Sequence, residues 1–185
     1  IDNISPLREY AKSQAKFKEQ PLNVFEIKDA NDFNWKQADG IRFTADGHFK
    51  GDNRRRGAMI DYWLKTPKKK EKVYISILDL NNDTLRNFTM APDTGLNRIY
   101  WNFESNGVRY PSYNTPKKDA NKPVGMNVKP GTYRVNLKYG ENEATKEIVI
   151  KPDPRLAFDE AGFDARTELY LQHQKTIVSA TVGFN

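Results

Sequence analysis

Apolar and polar residues alternate along several short stretches between residues 57 and 150. Side chains on a strand point to opposite faces with a period of two, so each run predicts a strand with one buried face. Gly, Pro and Asn turns separate the runs, and no helical pattern lies between them, which indicates an antiparallel β-sandwich of about seven strands. The residues predicted to face inwards are Ala58, Ile60, Tyr62, Leu64, Val73, Ile75, Ile77, Ile99, Trp101, Phe103, Tyr133, Val135, Leu137, Tyr139, Ile148 and Ile150.

Short helices are predicted at both ends of the strand region. Ser5 is a candidate helix cap and Pro6 suits the first helical position, and a thin apolar stripe follows at Leu7, Tyr10, Ala11 and Ala15. A second stripe recurs at three-and-four spacing near the C-terminus, at Phe163, Thr167, Tyr170, Gln174, Ile177 and Thr181. Because this second stripe is partly polar, we expect that helix to dock on another domain.

The chain therefore divides into three parts. Residues 1–20 form a helical linker, residues 21–155 the sandwich, and residues 156–185 a C-terminal helical extension. Residues 104–130 interrupt the sandwich with Pro111, Pro116 and Pro123 ahead of Pro130, and they show no strand pattern. A loop of that length is uncommon in a compact domain and is often functional, so a contact loop, a covering flap and a plain insertion are the alternatives.

Composition narrows the class of protein. The chain has 185 residues, which suits one domain with appendages, and no run is apolar and long enough to predict membrane insertion. It contains no cysteine, which excludes disulfides, thiolate metal sites and cysteine nucleophiles. The net charge is +6, but the basic runs at Lys68–Lys70 and Lys117–Lys118 flank prolines and are typical of solvated turns. We therefore expect no nucleic-acid partner.

The residues that carry catalysis in other proteins are scattered here. His48 and His173 are far apart, and the carboxylates lie at predicted strand ends or turns, where acids favour turn formation. Asp79–Asp83 begins like a calcium loop, but Thr84 replaces the required glycine and Met90 the required glutamate. The sequence predicts no catalytic residue, no metal site and no cofactor. The carboxylates considered are Asp61, Asp79, Asp83, Asp93 and Glu104.

Aromatic residues are the remaining functional signal. Trp63, Tyr74 and Tyr100 fall opposite the predicted core face, and Tyr110 and Tyr113 lie in the long loop. Exposed rings of this kind stack on sugars or on proteins. The alternative is that the irregular N-terminal segment, residues 28–56, covers the outer rings.

Three stretches carry a family resemblance: Gly57-Ala-Met-Ile-Asp-Tyr-Trp-Leu-Lys65, Gly95-Leu-Asn-Arg-Ile-Tyr-Trp101, and Pro130-Gly-Thr-Tyr-Arg-Val135 with Val149-Ile-Lys-Pro-Asp-Pro-Arg155. In succession they resemble the C-terminal Ig-like domain of secreted, sortilin-type (BNR-repeat) β-propeller proteins of Bacteroidetes, which are glycosyl hydrolase-like. Ile1–Leu7 is similar to the segment by which such chains leave their propeller. The Gly-Leu-Asn-Arg and Pro-Gly-Thr-Tyr pair also resembles the Ig-like domain of flagellar hook-capping proteins.

The resemblance implies an Ig-like or fibronectin III-like sandwich that is not an enzyme by itself. Its expected partner is the propeller of the same chain, and its expected location is secreted, periplasmic or at the cell surface. Expected contact residues are Trp35, Trp63, Tyr110 and Tyr113. Asp83-Thr84-Leu85 is similar to the acceptor for O-glycosylation of exported Bacteroidetes proteins, which makes Thr84 a predicted modification site.

The sequence leaves three alternative functions open. The first is a non-catalytic accessory module that packs against or spaces a propeller. The second is a carbohydrate-binding module that uses Trp63, Tyr110 and Tyr113 as a stacking platform. The last is a glycoside hydrolase, which requires His48 or a carboxylate pair in a cleft.

Overall fold

The computed structural model of the protein describes residues 3–33, 55–68, 70–114 and 116–184. Within these ranges ten strands are flanked by helices at both ends, so the prediction of a mainly β fold is confirmed. Trp35 and His48 lie outside the described residues. The elements are α1 (Ser5–Lys12), α2 (Gln14–Glu19), β1 (Leu22–Val24), β2 (Ala30–Asp32), β3 (Ala58–Leu64), β4 (Val73–Leu78), β5 (Thr84–Met90), β6 (Gly95–Trp101), β7 (Glu104–Asn106), β8 (Val124–Asn127), β9 (Gly131–Tyr139), β10 (Asn142–Pro152) and the 25-residue α3 (Glu160–Phe184).

Two sheets contain eight of the described strands. The first has the order β1-β3-β6, and the second has the order β2-β10-β9-β4-β5. All neighbouring strands in these sheets run antiparallel except β2, which lies parallel to β10. The remaining two strands, β7 and β8, pair with each other.

Both sheets bury their apolar faces in one core. Ile60 and Leu64 from the first sheet and Ile75 and Leu137 from the second are fully buried and belong to the same hydrophobic cluster. Every residue predicted to face inwards is buried, so the period-two alternation identified the core face of each strand correctly. Each such aliphatic side chain contributes roughly 1.5–3 kcal/mol relative to an exposed position.

The chain leaves the core sharply at the end of β6. Trp101 is buried, and its indole Nε1 donates a hydrogen bond to the carbonyl of Glu104 at 2.9 Å, which satisfies the one polar group of the ring. Phe103 follows the strand in a left-handed conformation, with φ of 66°, and its ring is also buried. This corner starts the segment that the sequence predicted as a long loop.

Tyr133 fixes the beginning of β9. Its hydroxyl donates a hydrogen bond to the carbonyl oxygen of Lys129, four residues upstream. Its ring meets Trp101 edge-on, with centroids 5.8 Å apart, and burial raises the pKa of the hydroxyl. One side chain therefore joins the turn before β9 to the centre of the core.

The N-terminal helices differ from the predicted pattern. Ser5 is the first helical residue and not the cap; Asn3 accepts a hydrogen bond from the Ser5 backbone N–H at 3.0 Å through its Oδ1. The predicted stripe is also wrong, because Leu7 is 57% exposed while Phe17 is buried. The helix breaks at Ser13, so three-and-four spacing does not continue from α1 into α2.

The Tyr133 bond gives a clean test. We expect Tyr133→Phe to lower the free energy of unfolding by about 1–3 kcal/mol, because the carbonyl of Lys129 loses its partner while the ring is retained. Urea denaturation measures the change. Tyr74→Phe is the matched control, since Tyr74 is 57% exposed on β4, and it is expected to change little. Equal effects of the two substitutions would contradict this role for Tyr133.

Candidate functional site

The flap, residues 104–130, is partly ordered as strand and is not a plain loop. Its ends pair antiparallel, with Glu104 opposite Asn127 and Asn106 opposite Val124. The backbone N–H of Gly107 also donates to the carbonyl of Pro123 at 2.8 Å. Pro111, Pro116 and Pro123 therefore lie in the loop of a hairpin whose base is held by strand pairing.

The flap lies against the free edge of β5, the outermost strand of the larger sheet. Asn121 Oδ1 accepts from the Thr89 backbone N–H at 2.8 Å, and Asn121 Nδ2 donates to the Thr89 carbonyl at 3.2 Å. Asn106 Oδ1 accepts from the Asn87 backbone N–H at 3.2 Å. Side-chain amides thus replace a neighbouring strand on an edge that would otherwise invite pairing with another chain. Of the three alternatives for this segment, the covering flap describes the geometry.

A buried guanidinium ties the flap to the sheet. Arg86 on β5 is 9% exposed, and its Nη1 donates to the carbonyls of Lys122 at 3.1 Å and Pro123 at 2.7 Å. The same nitrogen lies 3.3 Å from Asn106 Oδ1. Burial lowers the pKa of Arg86, and the charge of Glu104 opposes that shift. Both ends of the flap loop are therefore fixed by one side chain.

Helix α3 packs on the flap through the stripe found in the sequence. Phe163 and Ile177 are buried, and the other four stripe residues are partly buried. Gln174 Nε2 donates to the carbonyl of Asn106 at 3.4 Å, and Thr181 Oγ1 donates to that of Arg109 at 3.2 Å. The prediction of the stripe is confirmed. The stripe faces the flap of the same chain, and docking of this helix on another domain stays a prediction.

Ion pairs fix the first turn of α3. Lys129 Nζ lies 2.7 Å from Glu160 Oε1 and 2.9 Å from Asp164 Oδ2. Hydrogen bonds to these two carboxylates raise the pKa of Lys129. The acids belong to the N-terminal turns of α3, where negative charge also interacts favourably with the helix dipole.

A cavity of about 760 Å³ lies between the flap loop and α3. Tyr110, Val124, Tyr170 and Ile177 contribute to its wall. Tyr110 is 67% exposed at this cavity, and Tyr113 nearby in sequence is 93% exposed. The two loop tyrosines predicted as contact residues therefore have accessible rings, as stacking on a ligand or a protein requires.

The ring contacts of Trp63 lie with the N-terminal helices. The ring of Trp63 stacks on Tyr10, with centroids 4.8 Å apart and planes at 27°, and meets Phe17 edge-on at 6.3 Å. Phe17 stacks in turn on Phe25 at 4.8 Å. The α1 and α2 helices therefore cover this outer ring, and the predicted three-ring platform with Trp63 is not formed. Tyr10 and Phe17 lie outside residues 28–56, the predicted cover; in the described part of that segment, Arg55 lies over the outer ring of Tyr100, 5.4 Å from its centroid.

A charged contact reinforces the same junction. Asp61 is 4% exposed, and Arg98 reaches its two oxygens through Nε at 2.7 Å and Nη2 at 3.2 Å. Arg98 Nη2 also donates to the carbonyl of Asn3 at 3.1 Å, and the hydrogen bond to Asp61 raises the pKa of Arg98. We call this set the N-terminal clamp: Tyr10, Phe17, Trp63, Asp61 and Arg98. Sequence reasoning considered Asp61 as a catalytic acid and missed Arg98.

The other predicted site residues have simple surroundings. Asp79 Oδ1 accepts from the backbone N–H groups of Asn81 at 2.9 Å and Asp83 at 2.8 Å, as the turn interpretation requires. Thr84 is exposed as the first residue of β5, and its O-glycosylation stays a prediction. His173 is exposed on α3.

In the part of the chain that the structure describes, no cluster of three or more His, Cys, Asp or Glu side chains has the geometry to hold a metal ion. None of the helices in these same ranges is both long and apolar enough to cross a membrane.

No protein-family model, curated protein or solved structure matches this chain. Two surfaces of the chain, the N-terminal clamp and the flap with α3, therefore bear on its function together with the sequence resemblance.

The edge contacts of the flap predict a local effect on β5. We expect Asn121→Ala to speed hydrogen exchange at the Thr89 amide by at least about tenfold, because that N–H loses its acceptor. We also expect a stability loss of about 1 kcal/mol.

Amide exchange followed by NMR measures the first effect and urea denaturation the second. Asn114→Ala is the matched control, because Asn114 is exposed in the same loop and contacts Ser112 through its backbone N–H, which the substitution retains. Unchanged exchange at Thr89 in the Asn121 variant would show that the flap does not protect the edge.

Proposed function

We propose that this chain is a non-catalytic accessory module of a larger secreted or cell-envelope protein. In this role it holds a preceding β-propeller of the same chain in a fixed orientation. The preceding propeller and the secreted or cell-envelope location are inferred from the sequence resemblance. The N-terminal clamp is the observation that carries the proposal.

The clamp makes the leading segment part of the folded body. A charged contact at Asn3 and ring contacts at Tyr10 and Phe17 attach residues 3–19 to the first sheet, through Arg98 and Trp63. In addition, Glu9 Oε2 accepts from the Glu26 backbone N–H at 3.0 Å. A flexible tether needs none of these contacts, whereas a rigid junction between domains requires them.

We also infer that the two sheets form a fibronectin III-like sandwich. Apart from the short β2 strand and the two flap strands, the order is β1-β3-β6 facing β10-β9-β4-β5. This seven-strand arrangement of three and four is the one expected for that fold. The bond from Tyr133 to the carbonyl of Lys129 supports the inference, because it matches the tyrosine corner of Ig-like domains in position and direction.

The test uses the full-length parent chain. We expect Tyr10→Ala together with Arg98→Gln to broaden the distribution of distances between the propeller and this module, because the stack and the contact to Asn3 are lost. An aromatic pair contributes about 0.5–1.5 kcal/mol beyond its buried area. Small-angle scattering and spin-label distances between the two domains measure the change.

Tyr74→Ala is the control for loss of an aromatic ring outside the clamp. The isolated chain is expected to leave glycosidic bonds intact under conditions in which the parent is active. An unchanged distance distribution in the clamp variant would overturn the proposal. So would a parent sequence without propeller repeats before Ile1.

Carbohydrate binding is the second candidate, and the exposed rings of Tyr110 and Tyr113 favour it. If Tyr110 stacks on a sugar at the 760 Å³ cavity, Tyr110→Ala weakens polysaccharide binding by about 1–3 kcal/mol, a loss measured by calorimetry. Trp63→Phe is expected to leave affinity unchanged, since Tyr10 covers that ring. A glycan array without any hit would remove this candidate.

A further inference from the structure

One side of α3 carries an apolar row that the flap does not cover. Leu171, Val178 and Val182 are 50%, 46% and 75% exposed. Their spacing of seven and four residues places them on the same side of the helix, over about 16 Å. This row is distinct from the buried stripe of Phe163 and Ile177 that faces the flap.

The row borders a groove. One depression of about 490 Å³ lies between Val108 of the flap and Leu171, Lys175 and Val178. A second, of about 480 Å³, is shared by Val108, Val178 and Val182. Val108 and Val178 line both depressions. The two depressions therefore form one continuous feature, which we call the α3 groove.

The surroundings of the α3 groove are basic. Arg109 and Lys122 line one depression and Lys175 lines the other. Among the described residues, no carboxylate forms an ion pair with any of these three side chains. Residues 105–128 carry a single acid, Asp119, which is engaged by Lys72 at 2.6 Å, and residues 169–184 carry none.

We propose that the α3 groove binds an acidic amphipathic helix of a protein partner. Apolar side chains spaced by three and four residues would fill the two depressions, and flanking Asp or Glu side chains would pair with Arg109, Lys122 and Lys175. The inference rests on the proposed function of the chain as an interaction module, and it assigns a surface separate from the N-terminal clamp.

The charge pattern favours an acidic helix over a second copy of the chain as the occupant of the α3 groove. A symmetric contact would bring the cations of Arg109, Lys122 and Lys175 towards those of the partner copy, and like charges are unfavourable at an interface. The shape of the α3 groove favours a helix over a membrane surface as its occupant. A membrane-binding helix presents its apolar face outwards, whereas Val108 and Pro123 of the flap border one side of this row.

The direct test is a titration of the chain into a fluorescein-labelled synthetic peptide. The peptide has about 16 residues, with Leu at three-and-four spacing and Glu elsewhere, so it is long enough for about four helical turns. We expect saturable binding by fluorescence anisotropy, weakened by added salt. A scrambled peptide of the same composition is expected to bind at least about tenfold more weakly.

Variants locate the binding surface. Val178→Asp is expected to weaken binding at least about tenfold, because it places a carboxylate between the two depressions. Leu169→Asp is the matched control: Leu169 is 67% exposed, lies on another side of α3 and should leave binding unchanged. Lys122→Glu does not alter the helix and is expected to weaken binding of the acidic peptide while strengthening binding of a version with Lys in place of Glu.

Four outcomes would overturn the proposal. These are absence of saturable binding, equal effects of the Val178 and Leu169 variants, self-association of the free chain through this face, and binding only to vesicles that contain anionic phosphatidylglycerol. Circular dichroism of both aspartate variants verifies that α3 remains folded. Failure here leaves the N-terminal clamp untouched, since the clamp is tested separately by the distance between the propeller and this module.

Discussion

The buried guanidinium of Arg86 is the interaction on which the flap side of the molecule depends. A charged group in the interior is unfavourable unless hydrogen bonds replace its lost water. Here the carbonyls of Lys122 and Pro123 and the amide of Asn106 supply those bonds. The requirement works in both directions, because the same three hydrogen bonds hold the flap against the Arg86 guanidinium. In this position the backbone carbonyls of Asn106 and Arg109 in the flap accept hydrogen bonds from α3.

Sequence periodicity predicted those features that depend on burial along a single element. Alternation identified the core face of β3 and β9, and three-and-four spacing identified the packed stripe of α3. It failed where the same pattern has two physical causes. The alternation predicts that a ring opposite the core face, such as that of Trp63, is exposed to solvent. The prediction is the same when a helix packs over the ring. The cover depends on α1 and α2, which are distant in sequence.

Contacts made by polar side chains were out of reach for a related reason. Asn121 serves the β5 edge and Arg98 serves Asn3, and each joins positions far apart in the chain. Asn121 and Arg98 are ordinary residue types for a turn and a strand, so spacing alone does not predict these contacts. The parallel pairing of β2 with β10 is similar, because three residues with no clear alternation are placed only by their neighbour.

The distribution of charge gives the net charge of +6 a physical meaning that composition did not provide. Basic turns are usually solvated, and that interpretation suits Lys72, which pairs with Asp119 across two turns. The flap is different, since residues 105–128 carry a net charge of +3 beside a helix whose residues 169–184 contain no acid. A basic field around an apolar groove favours one sign of partner and disfavours a second copy of the same surface. At the proposed α3 groove the charge therefore bears on the choice of protein partner, while the expectation of no nucleic-acid partner stays a prediction.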